Sequence, residues 1–257
     1  MVPHMYWSEK EDCQNLNIWT PSIRDGRKRP VMVWLHGGGF SAGSSIEQLA
    51  YDGENLSRAG DVVVVSVNHR LNVLGYLDLS PFGEKYQDSA NAGNLDLIAA
   101  LEWIRDNIEG FGGDPENVTL FGQSGGGVKV WSLLQMPEAD GLFHKGIIES
   151  GVVDPDLLGD IEDGNGREIV KAMLVELGLE EKDVDQLETL PYDQLAQAYE
   201  NAAPKVAQKG EYVGNHSHKN QSYFGDAIKH GFREETKKIP LLIGTVPVSY
   251  THLRAHE

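Results

Sequence analysis

Four short runs of aliphatic residues constrain this chain more than any other feature: "VMVWL" (31–35), "VVVVSV" (62–67), "VTLF" (118–121) and "GIIES" (146–150). Each is apolar on both faces rather than alternating, as in central strands of a largely parallel sheet covered on both sides by helices. Between the second and third lies "NLDLIAALEWIRDNIEG", in which Leu97, Leu101, Ile104 and Ile108 recur on one helical face. Gly110 is the expected stop of that helix. Strand–helix alternation of this kind predicts an α/β fold with right-handed crossovers.

Residues 154–238 read differently. They are acidic and helical, as in "REIVKAMLVELGL", where Val170, Met173, Leu174 and Leu177 share a face, and they contain no run suited to a central strand. A helical cap inserted over the sheet is the expectation. "IPLLIG" (239–244) then reads as a return to a buried strand, bounded by Pro240 and Gly244.

Bulk properties narrow the partners. At 257 residues the chain can bury a sizeable core. A formal net charge of −17 sets it against nucleic acid and against anionic membrane surfaces. One cysteine, Cys13, excludes an intrachain disulfide and a Cys-rich metal site. No apolar run is long enough to span a bilayer. The N-terminal "MVPHMYWSEKEDCQ" has no apolar signal-peptide core, which favours the cytoplasm, but the native compartment is not legible because the native N-terminus is expected to be missing. No cofactor is expected, and the oligomeric state is not legible.

The chemistry is concentrated in "VTLFGQSGGG" (118–127), a strand, a Gly-Gln-Ser-Gly-Gly turn and then the helix-compatible "VKVWSLLQM". Gly-x-Ser-x-Gly between a strand and a helix is the pattern of a nucleophile elbow. The serine, Ser124, must sit on a sharp, strained turn so that its hydroxyl projects from the end of the sheet, and the flanking glycines keep Cβ atoms out of that turn. The following helix aims its N-terminal amides and positive dipole end at the same place. Upstream, "HGGGF" follows the 31–35 strand. Acyl transfer places negative charge on a carbonyl oxygen, which needs convergent backbone N–H donors. Gly38, Gly39 and Gly125 are the expected donors. His36 is expected to pack that loop rather than to act as a base.

Together these blocks resemble the type-B carboxylesterases, the group that includes para-nitrobenzyl esterases and cholinesterases. The resemblance rests on "EDCQNLNIWTP", "HGGGFSAG" and "FGGDPENVTLFGQSGGG", with "VVVVSVNHRLNVLGYL" and "NAGNLDLIAALEWI" in the same order. It runs from about residue 8 to 246 and implies an α/β-hydrolase fold, an ester substrate and an acyl-enzyme on Ser124, with Gly38, Gly39 and Gly125 as oxyanion hole. It also implies that Ser150, in "IIESG", hydrogen-bonds behind the catalytic triad. Gln123 stands where cholinesterases carry a Glu that helps hold a quaternary ammonium, which argues against choline esters. Cys13 has no upstream cysteine to pair with, so a free thiol is expected. The alternatives on the same fold are a non-catalytic interaction protein, or an amidase or lactonase.

In α/β hydrolases the triad runs Ser, acid, His along the chain. The resemblance implies a Glu soon after a strand like "IPLLIGT" and a His farther on. Here no Glu follows Val246 until Glu257. His216, His218 and His230 lie in the cap region, where solvated polar roles are the expectation, and Glu149 precedes any acid loop. The tail 247–257, "PVSYTHLRAHE", can be written in codons that spell a transposase adapter of short-read sequencing libraries. Residues 1–246 are therefore expected to be an incomplete hydrolase domain lacking its triad acid and base, and also some N-terminal strands. Residues 247–257 are expected to be a non-native tail, whose His252 and His256 are not candidates for the base.

Overall fold

The computed structural model describes residues 9–152, 164–214 and 216–246. The expected tail at 247–257 lies outside them. The strands are β1 (Asn15–Trp19), β2 (Arg29–Leu35), β3 (Val63–Asn68), β4 (Gly113–Gln123), β5 (Lys145–Glu149) and β6 (Leu241–Gly244). The helices that matter are α1 (Glu54–Gly60), α2 (Asn72–Tyr76), α3 (Ala92–Asn107), α4 (Gly125–Leu133), α5 (Arg167–Glu176), α6 (Tyr192–Ala207) and α7 (Ala227–His230).

All six strands form one sheet in the order β1-β3-β2-β4-β5-β6. β1 runs antiparallel to β3, and every other neighbouring pair is parallel. Each expected strand is present, four of them within two residues of the apolar run, while β4 begins five residues before its run, at Gly113. β1 was not expected as a strand from periodicity: "NLNIW" alternates polar and apolar residues, as suits an edge, and is only partly buried.

Leu97, Leu101 and Ile104 of α3, and Ile108 at its C-terminal cap, are all buried in one core with Val31, Val33, Val63, Val65 and Leu120 of the sheet. α4 adds Val130, Trp131 and Leu133 to the same core. The helix ends differently from the expectation. A 3-10 turn, Ile108–Phe111, continues α3, and the residue with left-handed backbone is Gly112 (φ +78°), not Gly110. The tight position is also Gly112, where a Cβ would lie 2.9 Å from both the Ser22 carbonyl oxygen and the Arg29 side chain.

Between β5 and β6 the described residues are helices, turns and loops, without a strand. α5 and α6 build a second core from Ile169, Val170, Met173, Leu174, Leu195, Ala198, Ala202 and Val206, against which Leu177 packs partly buried. Leu77 and Tyr86 belong to this second core, so it is fastened to the segment that follows α2. Polar ties add specificity: the Gly166 amide donates to the Asp78 carboxylate at 2.8 Å, and Asn91 exchanges two hydrogen bonds with the His218 backbone.

One expectation fails in part. "LLIG" forms β6, paired to β5 from Gly146↔Leu241 to Glu149↔Gly244, but it is not buried. Leu242 is 67 % exposed and Ile243 50 %. Among the described residues β6 is the outer strand, with neither a further strand nor a covering helix on those side chains, so an apolar run correctly gave a strand but not its burial.

Candidate active site

The parallel strands β2, β4 and β5 deliver their C-terminal ends to one edge, and the expected site residues gather there. Ser124 follows the last residue of β4 and is the N-cap of α4, with φ 54° and ψ −126°. A non-glycine residue in that region costs about 1–3 kcal/mol and persists only where its surroundings impose it. Here two hydrogen bonds do so: the Ser124 amide donates to the Glu149 carbonyl of β5 at 2.8 Å, and the Ser124 carbonyl accepts from the Val128 amide at 3.0 Å. The side chain is exposed.

Glycine is needed around it for lack of room. A Cβ on Gly122 would lie 2.5 Å from the Gly126 carbonyl carbon, and one on Gly126 would lie 2.0 Å from the Leu35 carbonyl oxygen. The turn is thus clamped between the end of β2 and its own helix.

The "HGGG" loop lies against this turn. A Cβ on Gly125 would stand 2.4 Å from the Gly39 amide nitrogen, so these two expected donors share one small space. Gly38 (φ +87°) and Gly39 (φ +62°) both take left-handed backbone, and the Gly38 carbonyl accepts from the Ala42 amide at 3.1 Å, which folds the loop back on itself. Among the described residues the amides of Gly38, Gly39 and Gly125 make no hydrogen bond with one another or with the chain.

His36 is buried, its Nδ1 lying 2.9 Å from the Gly37 carbonyl oxygen. Burial first, and then the charge of Lys129, pulls its pKa down to about 3. It is neutral, enclosed in the loop and not in contact with the Ser124 hydroxyl. His216, His218 and His230 do not reach that hydroxyl either, which makes no hydrogen bond among the described residues. Gln123 is half-buried, with its side-chain oxygen beside Gly37. Ser150 is buried with φ 52°, donates its amide to the Gly244 carbonyl at 2.7 Å, and its hydroxyl accepts from the Val246 amide at 3.3 Å. It ties β5 to the chain just beyond β6. Cys13 is a free thiol whose pKa is raised, chiefly by burial and then by Asp96.

A depression of about 310 Å³ lies elsewhere, lined by Gln135, Lys219, Asn220, Phe224, His230 and neighbours near the far end of α4. None of the expected site residues lines it.

Sequence reading missed two residues behind the loop. Lys129 is fully buried on α4, and its ammonium donates to the His36 carbonyl at 3.1 Å. His69, after β3, is buried with its ring 5.1 Å from that of His36. The available signal was a lysine in the otherwise apolar "VKVWSLL".

A serine at a strained strand-to-helix turn on the C-terminal edge of a mostly parallel sheet, with a glycine loop packed on it, defines an α/β hydrolase. A sequence model of the carboxylesterase family matches residues 2–255, and the chain belongs to that family. It is 40 % identical over 247 residues to the para-nitrobenzyl esterase of Bacillus subtilis (strain 168), covering 92 % of this chain and 47 % of the relative. It is 48 % identical over 153 residues to carboxylesterase 3B of Mus musculus, covering 59 % of this chain and 26 % of the relative. Among solved structures, an esterase from Clostridium hathewayi that can hydrolyze aliphatic aromatic polyesters superposes with a TM-score of 0.91 at 57 % identity, covering 95 % of this chain and 48 % of that one. A carboxylesterase of Geobacillus stearothermophilus superposes with a TM-score of 0.76 at 35 % identity, over 95 % and 50 % of the two chains. The chain thus spans about half the length of the para-nitrobenzyl esterase and of both solved structures.

Proposed function

We propose that this chain carries the nucleophile and oxyanion-binding part of a serine hydrolase that cleaves carboxylic esters through an acyl-enzyme. The observation that carries the reading is the strained backbone of Ser124 with Gly39 and Gly125 packed against each other beside it. The Ser124 oxygen attacks the ester carbonyl carbon, and the carbonyl oxygen takes up the negative charge. The amides of Gly38, Gly39 and Gly125 donate to that oxygen, and the N-terminus of α4 adds its positive end. Collapse of the adduct expels the alcohol and leaves the acyl group on Ser124; water then attacks the acyl-enzyme and releases the acid.

A serine hydroxyl needs a base to take its proton and an acid to orient that base. None of the described residues contacts Ser124 in that way, so we assign the base and its acid to residues other than these. The 57 % identity with a polyester-hydrolysing esterase supports aliphatic aromatic polyesters as one substrate class to try beside small esters. The test uses the full-length product of the gene that encodes this chain. Burst release of a chromogenic alcohol, with mass-spectrometric detection of an acyl group on Ser124, is the expected result. Ester turnover that survives Ser124→Ala, or hydrolysis of amides in preference to esters, overturns the proposal. Acid released from an aliphatic aromatic polyester film reads the substrate class separately.

A further inference from the structure

We infer that Lys129 is a positioning residue for this chemistry: its buried ammonium anchors the root of the "HGGG" loop and places a positive charge behind the oxyanion-binding amides. The inference rests on the ester-hydrolysing reading of the site.

The geometry is specific. Lys129 lies one helical turn beyond Gly125, and its side chain is wholly enclosed. It does not turn outward to solvent as a lysine on a surface helix does. Its Nζ instead reaches the carbonyl of His36, the residue immediately before Gly37, Gly38 and Gly39. The same carbonyl oxygen lies 3.0 Å from where a Cβ on Gly126 would stand. One ammonium therefore fixes the loop's starting point relative to the first turn of the helix that carries Ser124.

The surroundings leave the charge uncompensated. The titratable groups facing it are His36 at the end of β2 and His69 after β3, and both are held neutral by burial, reinforced by the lysine's own charge. The ring of Phe40 stands 6.0 Å away. Among the described residues no carboxylate pairs with Lys129, and it already sits near the positive end of α4. A buried, unpaired ammonium is unfavourable for folding, and an apolar side chain of the same length would serve the core better. The same field is favourable to one species, an oxyanion forming at the amides in front of it, because charges interact strongly in a low-dielectric site. Burial pulls the pKa of Lys129 down to about 7, so the charge is lost across the neutral range.

Lys129→Met and Lys129→Arg, made in the full-length gene product, test this. Thermal unfolding, kcat and KM are followed from about pH 6 to about pH 9 with a chromogenic ester. Lys129→Met should melt higher than wild type at pH 6 yet show a kcat about tenfold lower, with KM changed less than about twofold. The wild-type advantage should shrink towards pH 9 as the ammonium deprotonates. Lys129→Arg, where it folds, should keep the advantage at high pH. A kcat ratio between wild type and Lys129→Met that is the same at every pH, or a Lys129→Met that melts lower with unchanged kcat, overturns the inference, because a purely structural lysine would behave that way. Fluorophosphonate labelling of Ser124 separates the two readings, since it also builds negative charge on an oxygen at the same amides. A wild type that turns over no ester sinks the ester-hydrolase reading, and the labelling rates of wild type and Lys129→Met still decide Lys129. Equal rates at pH 6, or no labelling at all, sink the lysine as well.

Discussion

The centre of the sheet and its β6 edge are made from the same kind of sequence. "VMVWL" in β2 and "LLIG" in β6 are both short aliphatic runs, and both become parallel strands. Their surroundings differ. Val31 and Val33 are completely buried between β3 and β4, whereas Leu242 and Ile243 are largely exposed. The glycines differ in the same way. A Cβ on Gly126 would run into the Leu35 carbonyl, while one on Gly244 would meet nothing within 4 Å. A residue's cost of change is therefore set by what stands against it. The centre, where the candidate site lies, is over-determined, and the edge is permissive.

The largest expected effect is at the centre. Ser124→Ala should lower ester turnover by at least ~10⁴-fold, because it deletes the nucleophile rather than a supporting contact. The measurement is kcat of the full-length gene product with a chromogenic ester, and a smaller loss would break the assignment of Ser124. Next is Gly126→Ala, expected to destabilise by about 3 kcal/mol or more in urea unfolding, since its methyl meets rigid backbone rather than a flexible side chain. An unchanged urea midpoint would mean that the strand-to-helix turn can open without cost.

A third effect is pH-dependent and also central. His36 is held at about pKa 3 by burial, and His69 is lowered in the same direction. In the unfolded chain both take up protons near their ordinary value of about 6.5. The unfolded state then binds more protons at these two rings than the folded state, so their contribution to stability is complete above about pH 6.5 and is lost as the solution is acidified below it, by up to about 1.4 kcal/mol per pH unit for each group. Neither ring nitrogen of His69 has a hydrogen-bond partner, so His69→Phe leaves nothing unpaired. It should flatten the loss between about pH 6.5 and pH 5; an unaltered slope would assign the acid sensitivity to other groups.

The smallest effects belong to the edge. Gly244→Ala should change stability by less than about 0.5 kcal/mol, the contrast with Gly126→Ala being the point of the pair. Leu242→Lys, made in this 257-residue chain, should do as little to stability and should reduce concentration-dependent association, because β6 is the outer strand among the described residues and its side chains are exposed. A large loss of stability from either change would show that β6 is covered after all.

Much of this was legible in the residues. Aliphatic runs with no alternation dictated a covered parallel sheet, and the spacing of Leu97, Leu101, Ile104 and Ile108 dictated the buried face of α3. The Gly-x-Ser-x-Gly spacing predicted a strand-to-helix turn at Ser124, and β4 and α4 meet there, because only glycine tolerates the crowding at Gly122 and Gly126. Local sequence also gave the loop of Gly38 and Gly39. It could not give the burial of Lys129 and His69, the exposure of β6, or Gly112 rather than Gly110 as the end of α3. Those depend on which segments meet across the fold: Lys129 is buried because the end of β2 comes down on its helix, and Leu242 is exposed because nothing described comes down on its strand. Periodicity and turn chemistry are properties of neighbours in the chain, whereas burial and charge compensation are properties of neighbours in space, and only the tertiary structure decides those.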